Sequence, residues 1–288
     1  MRDSDIRQRF VFEHTQVRGE LVSLDATLRA VLERHPYPPV VAQQLGQALA
    51  AAALLGATIK FDGHLTLQLQ GDGPVHLLLA QCTSQGSLRG LARWHGDLPA
   101  DIAQAWPGSA RLMITIEQGR RERYQGIVAV TGGDLAGALE TYFAQSEQLP
   151  TRIWLSAHST RAAGLLLQRL PGTDVDADAW ERTVHLATTL SNEEMLGLSG
   201  TTVLHRLFHE EEVRLFEQEP VSFRCTCSRE RVSETLVALG RAELEAILAE
   251  EGNITVACEF CNHHYRFDAV DVEQLLAGSV TPAPKTAQ

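Results

Sequence analysis

Cys225-Thr226-Cys227 and Cys258-Glu259-Phe260-Cys261 put four of the chain's five cysteines in its last quarter, a C-x-C and a C-x-x-C separated by residues 228–257. Four thiolates gathered this way form a tetrahedral sulfur cage suited to Zn²⁺, with Zn–S bonds of about 2.3 Å. The same sulfurs can instead form two local disulfides, one inside each pair. A site open to both chemistries can act as a switch. The plainer reading is a permanently closed structural zinc site, the commonest use of four cysteines. Against it stands the C-x-C, whose single intervening residue makes a tight chelate. Arg224, Arg229 and Arg231 flank the first pair, and neighbouring cations favour the thiolate, the form that peroxide attacks.

Other candidates carry less. His263 and His264 follow Cys261, but with four sulfurs available they are expected behind the ligands or on the surface. Cys82 reads as a lone buried or partly buried thiol in a loop after a strand. Asp62-Gly63 and Gly71-Asp72-Gly73 lack the strand-to-helix setting and the lysine of a phosphate loop and are taken as turns. No G-x-S-x-G, H-E-x-x-H or Walker segment is present, so the chain is not expected to be an enzyme.

The 288 residues carry a formal net charge of −11 with pI ≈ 5.5. Nucleic acid is bound by neutralising phosphates, so such a chain is not expected to bind it. No unbroken apolar run of about 18 residues suggests a membrane span, and the charged Met1–Phe10 segment does not resemble a secretory signal. The expected location is the cytoplasm, where thiols stay reduced and metal binding is favoured over permanent disulfides.

Around this site the sequence predicts an α+β protein. Two helical stretches between Leu24 and Leu55 are broken at His35-Pro36-Tyr37-Pro38-Pro39, and the second, Val40–Leu55, is apolar on most faces and expected to be buried. Alternation predicts strands at Thr58–Phe61, Leu65–Gln70, Val75–Leu79, Leu88–Trp94, Arg111–Glu117, Tyr124–Val130, Thr151–Leu155 and Gly164–Leu170, with a helix over 134–146. Hairpins capped by helices imply an antiparallel sheet with helices on one face over residues 1–172. Residues 173–220 read as a metastable helical linker that opens with an acidic hinge. It has a capping box at Ser191–Glu194 and an apolar stripe of Val203, Leu204, Leu207 and Phe208. Too short for its own core, the linker is expected to cover part of the sheet through Leu204, Leu207 and Phe208. Residues 221–278 form a small cysteine domain whose folding leans on metal, and 279–288 a disordered tail.

Phe223-Arg224-Cys225-Thr226-Cys227-Ser228-Arg229-Glu230-Arg231 with Cys258-x-x-Cys261 closely resembles the bacterial redox-regulated 33 kDa heat-shock chaperone family, the 33 kDa chaperonins. Similar too are Val17–Val22, Lys60–Gly63, Leu67–Pro74, Glu122–Gly126, Tyr142–Arg152 and His209–Glu212, in order along nearly the whole chain. The resemblance implies a cytoplasmic holdase, inactive when reduced with one Zn²⁺ on Cys225, Cys227, Cys258 and Cys261. Oxidant with unfolding stress would form the Cys225–Cys227 and Cys258–Cys261 disulfides, release zinc and unfold the C-terminal domain and linker. The implied active form is a homodimer that binds unfolding client proteins without ATP and yields them to ATP-driven foldases. Two other readings compete with it. One is a zinc-ribbon adaptor with a fixed binding surface. The other is a metal-dependent hydrolase, for which four cysteine ligands leave no open coordination position.

Overall fold

A computed structural model of the chain describes residues 4–100, 106, 110–119, 122–130, 134–172 and 176–278. Thr173–Val175, at the start of the expected hinge, and the expected tail 279–288 lie outside the described residues. The chain forms two compact units, Met1–Arg224 and Cys225–Gln288.

The first unit is built on two sheets. Strands β1 (Ile6–Phe12), β2 (Val17–Leu24), β8 (Thr151–Ala157), β9 (Ala162–Arg169) and β10 (Val213–Pro220) form an antiparallel sheet in the order β10-β1-β2-β9-β8. A second sheet orders β11-β5-β4-β3-β6-β7, from β3 (Gly63–Gln70), β4 (Val75–Thr83), β5 (Ser87–Trp94), β6 (Ala110–Gln118), β7 (Glu122–Val130) and the short β11 (Ser222–Phe223). Only the β11–β5 pairing in it is parallel. Helix α1 (Ala26–Leu32) leads into α2 (Pro39–Thr58), which packs against β4 and β5 of one sheet and β2, β8 and β9 of the other.

This corrects the single sheet with helices on one face. Because α2 meets apolar strands on opposite sides, it is buried almost all round, from Val41 to Gly56. By length and composition α2 is also the one helix among the described residues able to cross a membrane, but here it is the core. It runs on through Thr58, so Thr58–Phe61 is not a strand. The Thr58 hydroxyl donates to Leu54 O at 2.7 Å, while Arg9 and Arg18 donate to the terminal carbonyls of Ala57 and Thr58. Cations at a helix C-terminus satisfy orphan carbonyls and oppose the dipole.

Residues 176–220 belong to the first unit. Helices α4 (Ala179–Thr188), α5 (Asn192–Gly197) and α6 (Gly200–Phe208) follow α3 (Leu135–Tyr142) and its π-helical turn Phe143–Glu147. The Ser191–Glu194 capping box opens α5. Residues 213–220, expected within a helical stretch, are instead strand β10, which pairs with β1 and is exposed along nearly its whole length.

The second unit comprises α7 (Arg229–Leu239), α8 (Arg241–Glu251), the hairpin β12 (Ile254–Ala257) and β13 (His264–Phe267), and α9 (Ala269–Gly278). Its core is small: Leu236, Leu244, Ile254, Phe267, Val272 and Leu276.

Gly19 shows how closely the five-stranded sheet is fitted. It lies opposite Phe10, and a Cβ there would stand 2.0 Å from the ring. Gly19→Ala is expected to displace Phe10 and cost about 1–3 kcal/mol, read as a lower denaturant midpoint; an unchanged midpoint would mean that the ring relocates freely.

Candidate metal centre and a covered sheet face

Each cysteine pair is placed by a backbone device of its own. Cys225 and Cys227 lie in the extended segment that enters α7, whose N-cap Ser228 accepts from Arg231 N at 3.3 Å. Arg231 Nη1 reaches back to Thr226 O at 3.1 Å and pins the residue between the two sulfurs. Cys258 and Cys261 occupy the reversal between β12 and β13. There Asn262 N donates to Cys258 O at 2.7 Å and Cys258 N to His263 O at 2.9 Å. Asn262 takes a φ of 55°, a left-handed conformation that asparagine tolerates better than most residues.

The four sulfurs converge, all within 4.8 Å of one another. Cys225 Sγ lies 3.7 Å from Cys258 Sγ, and Cys227 Sγ 3.4 Å from Cys261 Sγ. Sulfurs bound tetrahedrally at about 2.3 Å stand about 3.8 Å apart, so the arrangement suits a single thiophilic ion. The thiols are free and intermediate in burial. Burial raises the pKa of Cys225 and Cys261. At Cys227 burial also acts upward, but hydrogen bonds from the Tyr265 hydroxyl, at 3.2 Å, and from the neighbouring thiols outweigh it and bring the group down to about 7. One sulfur is thus easily ionised and two resist. A divalent cation changes that balance, because a coordinating thiol is deprotonated outright.

The flanking arginines act differently from the expectation that they stabilise thiolate. Arg229 pairs with Asp271 at 2.8 Å, donates to Arg266 O at 2.8 Å and stacks on Phe267, while Arg231 holds Thr226. They shape the loops around the sulfurs. His263 and His264 are exposed and outside the cage. Cys82 lies within β4, not in a loop; it is fully buried, and burial pushes its thiol up to about 12.

In the first unit, the outer face of the five-stranded sheet is apolar and covered. Phe10, Phe12, Val17, Leu21, Ala163, Leu165 and Leu167 supply the sheet side. Met195, Val203, Leu204, Leu207 and Phe208 supply the helical side, the last three only 2–4% exposed. The Phe208 ring meets Phe12 edge-on at 4.9 Å and Phe10 at 6.3 Å. Strand β9 is buried on both faces, with Leu166 toward the α2 core and Leu165 and Leu167 toward the cover. Sequence reasoning missed Phe10 and Phe12, for which the only signal was the short apolar end Phe10-Val11-Phe12 of β1, and Tyr265, for which there was none.

The sequence profile of the family described as Hsp33 protein matches residues 5–268. The chain belongs to the Hsp33 family. It is 55% identical over 287 residues to the 33 kDa chaperonin of Nitrosococcus oceani, covering 100% of this chain and 99% of that one. With the 33 kDa chaperonin of Azotobacter vinelandii it shares 50% identity over 297 residues, covering 100% of both. The crystal structure of the 33 kDa chaperonin of Thermotoga maritima superposes with a TM-score of 0.85 at 26% identity, over 96% of this chain and 99% of that one. Membership places the chain among chaperones rather than enzymes, in keeping with an Hsp33-type α+β fold and a C-terminal four-cysteine cluster.

A hydrogen bond to a ligand sulfur tunes its charge, and loss of such outer partners weakens metal binding about 10- to 100-fold. Tyr265→Phe is expected to lower affinity for added Zn²⁺ by about that factor, measured by chelator competition. Equal affinity would mean that the hydroxyl does not act on Cys227.

Proposed function

We propose that the protein is a redox-regulated, ATP-independent holdase of the cytoplasm that binds unfolding proteins and prevents their aggregation under oxidative and heat stress. The observation that carries this reading is the pairing of a four-sulfur cage on a marginal core with an apolar sheet face whose covering helices precede the cage in sequence. In the reduced state Cys225, Cys227, Cys258 and Cys261 hold one Zn²⁺. Bound there, zinc would supply the positive charge that lets four thiolates share one small volume and would tie the start of the second unit to its β12–β13 hairpin.

Peroxide meets the sulfurs as thiolates. One thiolate of a pair attacks the peroxide oxygen, forms a sulfenic acid and expels hydroxide; its partner thiolate displaces a second hydroxide and closes the disulfide. Each disulfide gives up two electrons to one peroxide, so two peroxides convert the cage into Cys225–Cys227 and Cys258–Cys261. The sulfurs of each pair must close from within 4.8 Å to about 2.05 Å, and paired sulfurs no longer hold the ion. Deprived of that tie, the small core is expected to unfold.

Chain continuity carries the effect onward. Cys225 stands two residues past the end of β11, and β10 before it is an exposed edge strand paired on one side only. Fraying there leads into α6 and lifts Leu204, Leu207 and Phe208 from Phe10, Phe12 and Leu165. The uncovered face, with exposed Leu215 and Phe216 of β10 nearby in sequence, is a surface for apolar client segments. The acidic net charge keeps loaded complexes dispersed. Activated molecules pair as homodimers and later yield clients to ATP-dependent foldases.

The test treats reduced protein with peroxide at raised temperature. It follows zinc release and thiol state together with suppression of aggregation of an unfolding client. Zinc loss, two disulfides and new holdase activity are expected together; an oxidised protein that keeps its zinc, or gains no activity, refutes the proposal. Leu204→Asp with Phe208→Glu should uncover the sheet without oxidant, giving client binding in the reduced, zinc-loaded state. A double variant that is inactive and fully folded when reduced would rule out the cover.

A further inference from the structure

Apolar packing does not account for one side chain at the covered face. Arg161 ends the reversal between β8 and β9, where His158 N donates to Arg161 O at 2.8 Å. The residue is only 6% exposed. Its Nη1 donates to Leu196 O of α5 at 2.5 Å and its Nη2 to Ser23 Oγ of β2 at 3.3 Å. Nε is buried without an acceptor, and among the described residues no carboxylate pairs with the guanidinium. Glu194 of α5 is already engaged by Arg206 and by the Ser191 cap. Ser23 also lines a small pocket of about 20 Å³ shared with Gln8, Leu21, Met195, Leu198 and Val203 at the edge of the cover.

A guanidinium is always charged, and removing it from water is costly unless its donors and its charge are both met. With the cover closed, Arg161 has two neutral acceptors, a buried Nε without one and, among the described residues, no counter-ion. With α5 lifted it regains full hydration. The apolar contacts of α6 favour closure, whereas this one cation favours opening.

We propose that Arg161 is a positioning residue that biases the cover toward release, setting how readily α5 and α6 leave the sheet once the second unit lets go. The inference rests on the reading of 192–208 as a cover lifted by oxidation. Replacing a buried, unpaired cation by an apolar side chain of similar length often stabilises the closed state.

The test is amide hydrogen exchange across residues 192–208 in full-length reduced protein, repeated during peroxide treatment with zinc release followed in parallel. Arg161→Met should slow exchange in the reduced state about 10-fold. It should also delay uncovering under peroxide and leave the rate of zinc release unchanged. Arg161→Gln, neutral but still able to bond Leu196 O, should move the same way, and Arg161→Lys, which keeps the charge, should exchange at least as fast as the wild type. A melting curve for each variant separates these effects from misfolding. Exchange in both neutral variants that is unchanged or faster overturns the proposal and makes Arg161 a clasp. If wild-type 192–208 stays protected after both disulfides have formed, the cover reading itself fails, whatever the variants do.

Discussion

Four sulfurs within 4.8 Å of one another can all be thiolates only against a positive charge. That electrostatic condition governs the second unit. Six buried apolar side chains form its core, and a domain of that size rarely holds together on burial alone. The loops at the two cysteine pairs come from distant stretches of chain and are shaped by local devices: Arg231 on Thr226, Asn262 in the left-handed region and Tyr265 on Cys227. These set the geometry, and a cation bound among the sulfurs would supply the charge that lets all four ionise there.

The first unit resolves a different conflict. Strand β9 presents apolar side chains on both faces, yet α2 can cover only one of them. The other face needs α5 and α6, whose own apolar stripe needs the sheet in return. Each side lowers the exposure of the other, and the guanidinium of Arg161 lies buried beside both, with no carboxylate partner among the described residues.

The hairpins of the six-stranded sheet could be read from alternation because most of their strands bury one face. Strand β1 hid from the same reading. Its polar positions Arg7 and Gln8 are themselves buried, bonded to Glu219 and to Phe216 O. Strand β10 has almost no buried face and so no hydrophobic pattern to betray it; pairing with β1 makes it a strand. Thr58–Phe61 looked extended because three of its four residues are β-branched or aromatic, but the first of them ends a helix whose carbonyls are capped by arginines from β1 and β2.

By itself the sequence determined the two cysteine pairs, the all-round burial of α2, the capping box of α5 and the stripe of Leu204, Leu207 and Phe208, because each depends on spacing within one short segment. Tertiary structure alone decided that two sheets enclose α2, that Phe10 and Phe12 receive Phe208, and that Tyr265 reaches Cys227. It also decided that the arginines beside the cysteines hold loops instead of sulfurs. Those outcomes depend on which distant segments compete for the same donor or the same apolar surface, and local order along the chain does not record that competition.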